Sequence, residues 1–194
     1  MPIPTNREIM MKRLVTLTAK EMNESQKAVW DEIQSGPRGG SPHGPFMAWL
    51  QSPNFADRAQ KLGEYLRFNA QMEKRLSELA ILTVARHWTA QYEWFAHKKF
   101  ALKAGLQSNI IDSIAEHKRP NFVNDDEAAV YDFSIELHKT HQVNDEAYNA
   151  VVQHIGRAGA VDLVGLLGYY TLVSMTLNVY KVSLPDGEPD PLKP

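Results

Sequence analysis

The apolar positions of this chain group into helix-length blocks, and strand-like alternation is nearly absent; only LVTLT at 14–18 alternates, and weakly. In the block that starts at Lys74, residues Leu76, Leu79, Ala80, Ile81, Leu82, Val84 and Ala85 cover most of a helical circumference. That pattern predicts a helix buried on nearly all sides. A second block, LVGLLGYYTLVSMTLNV from Leu163 to Val179, runs 17 residues without a charge. It is at the short limit for a membrane span and carries Tyr170, Ser174 and Asn178, so a core or subunit-interface helix is the reading it supports.

Punctuation agrees with a helical body. Of the 11 prolines only Pro120 falls between Asn54 and Leu184, and proline inside a helix costs about 3 kcal/mol. Asn23 with Gln26 reads as a capping box ahead of KAVWDEI, which Ser35-Gly36-Pro37 ends. Ser52-Pro53 opens NFADRAQKLGEYLRFNAQ with proline at the first helical position. Gly105 stops the helix YEWFAHKKFALKA, Asn124 with Glu127 reads as another capping box, and Asn144 followed by Asp145 and Glu146 starts the last helix. The expectation is an all-α, compact multi-helix subunit of eight or so helices.

Composition narrows the class. A length of 194 residues suits one domain, drawn here as a lead (1–19), an all-α domain (20–183) and a proline-rich tail (184–194). With 43% hydrophobic residues and a net charge of −2, nothing opposes collapse. The pI of about 6.4 gives no electrostatic footprint for nucleic acid or an anionic membrane. The apolar stretch Leu14–Ala19 behind Arg7, Lys12 and Arg13 is too short for a signal-peptide core. There is no cysteine, which excludes a disulfide scaffold, a zinc ribbon, an iron–sulfur site and a thiol nucleophile. A soluble, cytoplasmic protein is the expectation.

Candidate chemistry concentrates between Lys74 and Gly105. Glu78 lies inside the apolar set of the buried helix; an unpaired carboxylate there is costly, so it either finds a partner or lies on a solvated stripe with Lys74 and Arg75. Glu93 and His97 are four apart, on one helix face and about 6 Å apart along its axis. A carboxylate beside an imidazole fixes its tautomer and raises its basicity. The plain alternative is an exposed pair; Tyr92, Trp94, Phe95 and Phe100 make the segment aromatic-walled instead. Arg86 is either a carboxylate fork or a helix C-terminal cation. His138 and His141, three apart in a polar stretch, read as a solvated face, and His154 as a core or contact histidine. No metal is expected: the Glu-x-x-His spacing of di-iron bundles is missing, as are HExxH, GxSxG, GxGxxG and GxxxxGK[ST]. The loop GPRGGSPHGP, four glycines and three prolines in ten residues, reads from composition as a surface connector.

The segments GPFMAWLQSPNFADRAQKLGEYLRF, ELAILTVARHWTAQYEWFAHKKFALKAGL and GYYTLVSMTLNVYKV resemble the carboxymuconolactone decarboxylase-like family, which includes the alkylhydroperoxidase D proteins. The resemblance implies an all-α subunit in a homo-oligomer, a trimer or hexamer, with sites near subunit contacts. In the peroxidase branch a glutamate precedes the first cysteine of a CxxC by twelve residues, and a histidine follows the second by four. In that register Glu78 and His97 are kept, while Ala90 and Glu93 stand at the cysteine positions. Disulfide-cycling peroxide reduction is thereby excluded. The decarboxylase branch needs no thiol. It implies a cofactor-free lyase acting on a small carboxylated or lactone substrate, as in aromatic-compound catabolism. His97 would be the acid–base, Glu93 or Glu78 its orienting partner, Tyr92 a hydrogen-bond donor, and Arg86 a carboxylate anchor, with Trp94 beside the substrate. The alternative is a non-catalytic oligomeric protein that binds a small ligand.

Overall fold

The computed structural model describes residues 13–40 and 42–193; the first twelve residues of the expected lead lie outside them. Among the described residues the elements are α1 (Glu24–Ser35), α2 (Pro45–Trp49), α3 (Pro53–Glu64) and a π-helical turn (Tyr65–Asn69). They continue with α4 (Lys74–His87), α5 (Gln91–Lys103), α6 (Ser108–Ala115), α7 (Asp125–Thr140) and α8 (Asp145–Tyr180). The all-α expectation holds, and LVTLT forms no strand among these residues. Asn23 and Gln26 make both capping-box hydrogen bonds, at 2.9 and 3.0 Å. The Asn144 side chain accepts from the Ala147 amide.

Two parts of the punctuation differ. Asn124 stands at the N-cap of α7 without a side-chain hydrogen bond, because Glu127 faces Arg75 on α4 instead. The tertiary pair is charged and its Glu127 is buried, and it outcompetes a local cap that contributes about 1 kcal/mol. The long apolar helix is also not continuous. Gly156 takes φ 73° and ψ 173° inside α8 and breaks it, in a left-handed conformation that glycine tolerates.

Helix α4 is the central element, packed against α5, α7 and α8. Leu79, Ala80, Leu82, Val84 and Ala85 are wholly inaccessible, as its all-round apolar pattern predicts; each large aliphatic buried this way contributes roughly 1.5–3 kcal/mol. Among the described residues α8 alone is long and apolar enough to cross a membrane, and 56% of its most apolar window is buried inside the protein. The tail is packed onto the domain. Leu192 is buried in the core, and the Gln91 side chain holds both its backbone groups, donating to the carbonyl at 2.8 Å and accepting from the amide at 2.9 Å. The clamp sits at the first residue of α5 and fixes where that helix begins.

Arg75 joins α4 to α7 through Asp126 (2.6 Å) and Glu127 (2.5 Å). Burial pushes the Asp126 carboxyl up, and the Arg75 guanidinium more than reverses this. The Glu127 side chain is 2% exposed, whereas Arg119 and Asp132 in a second pair are 56% and 44% exposed. Stranding a buried charge costs roughly 3–5 kcal/mol, and opening a surface pair at most about 1. Arg75→Met is therefore expected to lower unfolding stability several-fold more than Arg119→Met; equal urea midpoints for the two variants would refute this account.

Candidate active site

Glu78 projects from the second turn of α4, and Glu93 and His97 from the first two turns of α5. The short link through Thr89 and Ala90 turns the chain back so that α5 lies along α4, and the three side chains meet. His97 Nδ1 lies 2.6 Å from Glu78 Oε2, and Nε2 lies 3.0 Å from Glu93 Oε1. All three residues are buried. The choice between Glu78 and Glu93 as partner thus resolves into both, one on each ring nitrogen. Glu78 does not lie on a solvated stripe with Lys74 and Arg75.

Two carboxylates taken out of water are expensive unless a cation sits with them. His97 is that cation. Burial alone would pull its pKa down, but the charges of Glu78 and Glu93 and their hydrogen bonds outweigh burial and raise it from 6.5 to about 9. With both carboxylates ionised, each ring N–H donates to one of them, and the trio carries a net −1. The ring is boxed by aromatics: Tyr170 meets it edge-on at 5.1 Å, and Phe100 at 5.8 Å. Tyr170 has its hydroxyl pKa pushed well up by burial.

His97 and Glu93 open onto a cavity of about 270 Å³, a size for a small molecule. The loop 36–45 forms one wall of it, through Pro37, Arg38, Gly39, Pro42, His43 and Pro45. This loop is more than the surface connector its composition suggested. Gly44 adopts φ +61°, and a Cβ there would come within 2.9 Å of the Tyr92 ring. Glycine lets the loop close down on α5. Tyr92 itself lines the cavity, and burial, then the Glu93 charge, raises its pKa. Glu78 faces the other way, into a second cavity of about 340 Å³ that Lys74 also lines. Arg67, Phe68 and Phe100 border both spaces. Burial and the Arg67 charge pull the Lys74 pKa down against the pull of Glu78.

The remaining expected site residues are not brought to the cavity. Arg86 is buried 107 residues away in sequence from its partner, donating from Nη2 to the Lys193 carbonyl at 2.9 Å and from Nη1 to Thr89 Oγ1 at 3.1 Å. It fastens the tail and borders neither cavity, so the carboxylate anchor expected of it is corrected to a structural fork. Trp94 is a core residue. Asn178 donates to the Trp88 carbonyl at 2.8 Å, and His154 is exposed. Among the described residues no group of three or more His, Cys, Asp or Glu side chains is placed to hold a metal ion; Glu78 and Glu93 sit on opposite nitrogens of one ring.

Arg38, Arg67, Phe46 and Tyr169 also line the cavity, and sequence reasoning missed them. Arg67 and Phe68 lie on the π-helical turn, a feature without a residue-type signature that often accompanies functional sites. Arg38 did leave a trace, as the one permanently charged residue of the loop 36–45.

No family model and no curated relative matches this sequence. Solved structures do. The core of an alkylhydroperoxidase AhpD, an uncharacterized peroxidase-related protein from Ralstonia eutropha JMP134, superposes with a TM-score of 0.73 at 16% identity, covering 90% of this chain and 92% of that one. The fold is alkylhydroperoxidase D-like. The debrominase Bmp8 in its apo form gives a TM-score of 0.69 at 11% identity, covering 89% of this chain and 92% of that one. Its cysteine-to-alanine variant in complex with 2,3,4-tribromopyrrole gives the same score and identity. At such identities the likeness concerns the AhpD-like fold alone.

His97 makes stability depend on pH in a defined sense. Its folded-state pKa is raised, so its contribution is complete below about pH 6.5 and is lost as pH rises through about 9. The gap in melting temperature between the unaltered chain and His97→Gln is expected to shrink steadily from pH 6.5 to 9.5. A gap that stays constant or widens over that window contradicts the assignment.

Proposed function

We propose that this protein is a cofactor-free acid–base enzyme resembling 4-carboxymuconolactone decarboxylase, a lyase acting on a small carboxylated or lactone substrate. The observation that carries the reading is His97, held between two buried carboxylates at the wall of an aromatic-lined cavity. Held protonated at neutral pH, His97 is the general acid. When the carbon–carbon bond to a carboxylate breaks next to a carbonyl, CO2 leaves and the electron pair stays behind as an enolate. His97 supplies the proton to that carbon, and solvent restores it. Glu78 holds Nδ1–H and fixes the ring; Nε2–H rests on Glu93 at the cavity wall and leaves that hydrogen bond for the substrate carbon in the transfer. Replenishment runs through the second cavity, lined by the buried Glu78 and the exposed Lys74. Positioned acid–base groups of this kind contribute about 10²–10⁴-fold.

The debrominase neighbour's chemistry is not carried over with its fold. Without a thiol this chain is expected to reduce no alkyl hydroperoxide on its own, and observed reduction would overturn that part of the reading. The chain is read as cytoplasmic and self-associating, a trimer or hexamer by the resemblance. Val161, Val164, Met175 and Val179, exposed by 72%, 50%, 45% and 56%, lie within one stripe of α8 and support burial against a second copy.

A second reading has its own support. A histidine with both nitrogens engaged is also what a purely structural linchpin looks like, in a protein that binds a ligand and does not turn it over. Turnover of 4-carboxymuconolactone, followed by CO2 release, separates the two. Under the enzymatic reading His97→Gln loses at least about 10²-fold in kcat, and the rate of the unaltered protein falls as pH rises past about 9, when the acid is lost. Absent turnover, or a His97→Gln rate equal to that of the unaltered chain, favours the binding protein.

A further inference from the structure

The loop 36–45 places a cation at the cavity wall. Arg38 turns into the cavity with its guanidinium stacked on Phe46, 5.0 Å from the ring centroid. It lies beside Tyr169, whose hydroxyl pKa burial pushes up to about 12 while the Arg38 charge pulls it back. Arg38 Nε and Nη2 are buried and neither makes a well-aligned hydrogen bond among the described residues, the neighbouring Tyr169 hydroxyl included. These two nitrogens form one edge of the guanidinium, the edge that grips a carboxylate through two parallel hydrogen bonds. Buried donors are almost always satisfied, so two orphans on one edge mark a place for an acceptor.

Charge and shape narrow that acceptor. With both carboxylates ionised, the Glu78–His97–Glu93 trio carries −1; Arg38 and Arg67 add +2 at the cavity wall. The sum is +1, which one monoanion neutralises. Flat faces make up much of the remaining wall: Phe46, Phe68, Tyr92, Phe100 and Tyr170. Aromatic faces of this kind favour a planar body. The backbone is shaped for the arginine as well. A Cβ on Gly63 would collide with the Tyr169 hydroxyl and come within 2.6 Å of Arg38 Nη2.

We propose that Arg38 is the anchor of a small planar carboxylate, gripped edge-on by Nε and Nη2, with the ring or unsaturated body lying along the aromatic wall toward Glu93 and His97. This rests on the reading that the cavity takes the substrate, and it assigns the specificity of that cavity to the loop 36–45. The anchoring is a binding function and needs no proton from His97.

The test uses the full chain with benzoate as probe and benzamide as its neutral isostere, titrated by calorimetry, with every variant first shown by its melting curve to be folded. Benzoate is expected to bind, and benzamide about tenfold more weakly or worse. Arg38→Gln is expected to lose at least about tenfold for benzoate while leaving benzamide unchanged, with Arg38→Lys in between, since a lysine cannot make the double hydrogen bond. Gly63→Ala keeps the charge but displaces the fork, so it too weakens benzoate selectively. Three results overturn the proposal: benzoate and benzamide binding alike, Arg38→Gln binding benzoate as the unaltered chain does, or no benzoate binding at millimolar concentration. A chain that binds benzoate through Arg38 and turns over no substrate overturns the catalytic reading and leaves this one standing. A chain that turns over its substrate without caring about Arg38 does the reverse.

Discussion

One imidazole is wedged between two buried carboxylates, and the rest of the structure is arranged around making that tolerable. Glu78 and Glu93 are both out of water, on different helices, and each would repel the other if His97 did not stand between them. The ring answers both charges at once because its two nitrogens point in opposite directions, toward α4 and back along α5. Burial works against the imidazolium, yet the two carboxylates win by enough to lift its pKa from 6.5 to about 9. The interaction therefore ties together helix packing, protonation state and the chemistry available at the cavity.

Holding this trio requires that α4 and α5 cannot slide. Helix α4 is fixed on all sides by apolar packing, and Arg75 pins its first turn to α7 through a carboxylate that has almost no access to solvent. The start of α5 is set by Gln91, which holds the backbone of Leu192 from the other end of the chain, while Arg86 takes the next carbonyl, that of Lys193. Buried polar groups are here used in pairs of donor and acceptor, which makes each contact specific in direction as well as favourable. A side chain 2.6 Å from its partner on another helix tolerates little drift.

The parts of this arrangement that were legible in the sequence are those governed by local rules. Caps at Asn23 and Asn144, the proline opening α3 and the stop at Gly105 depend on residues within one turn, and the all-round apolar pattern of α4 announced its burial. The spacing of Glu93 and His97 put them on one face, and aromatic neighbours argued against solvent. What stayed hidden depends on which elements meet. Glu127 looked like a cap and is an ion-pair partner, because Arg75 lies 52 residues away in sequence. Arg86 looked like the anion fork from its place after the buried helix, yet the tail folds back and takes its hydrogen bonds. Arg38 sat in a loop whose glycines and prolines said only that it was not a helix. No spacing rule links residue 38 to residue 97; the link is made by Gly44 letting the loop settle against Tyr92.

The absence of cysteine has a structural side as well as a chemical one. In the register of the resemblance, a thiol position is taken by Glu93, and its carboxylate accepts the second N–H of the imidazole and helps raise the pKa of His97. A neutral thiol at that position would leave Nε2 with a weak acceptor and only Glu78 to hold the ring's charge, so the pKa of His97 would sit lower. The other position, Ala90, is fully buried at the N-terminal end of α5. It adds no group that titrates. Set beside the pattern of the resemblance, the site holds a proton between carboxylates where that pattern would place thiols, within an AhpD-like fold. An imidazolium stabilised to about pH 9 is a reservoir with little tendency to release its proton to water at neutral pH. On the function proposed above, it becomes a useful acid only toward a base as strong as an enolate, formed in the cavity directly beside it. Under that proposal, the same carboxylates that make His97 a reluctant acid in the resting protein also confine its reactivity to the place where such a base would be generated.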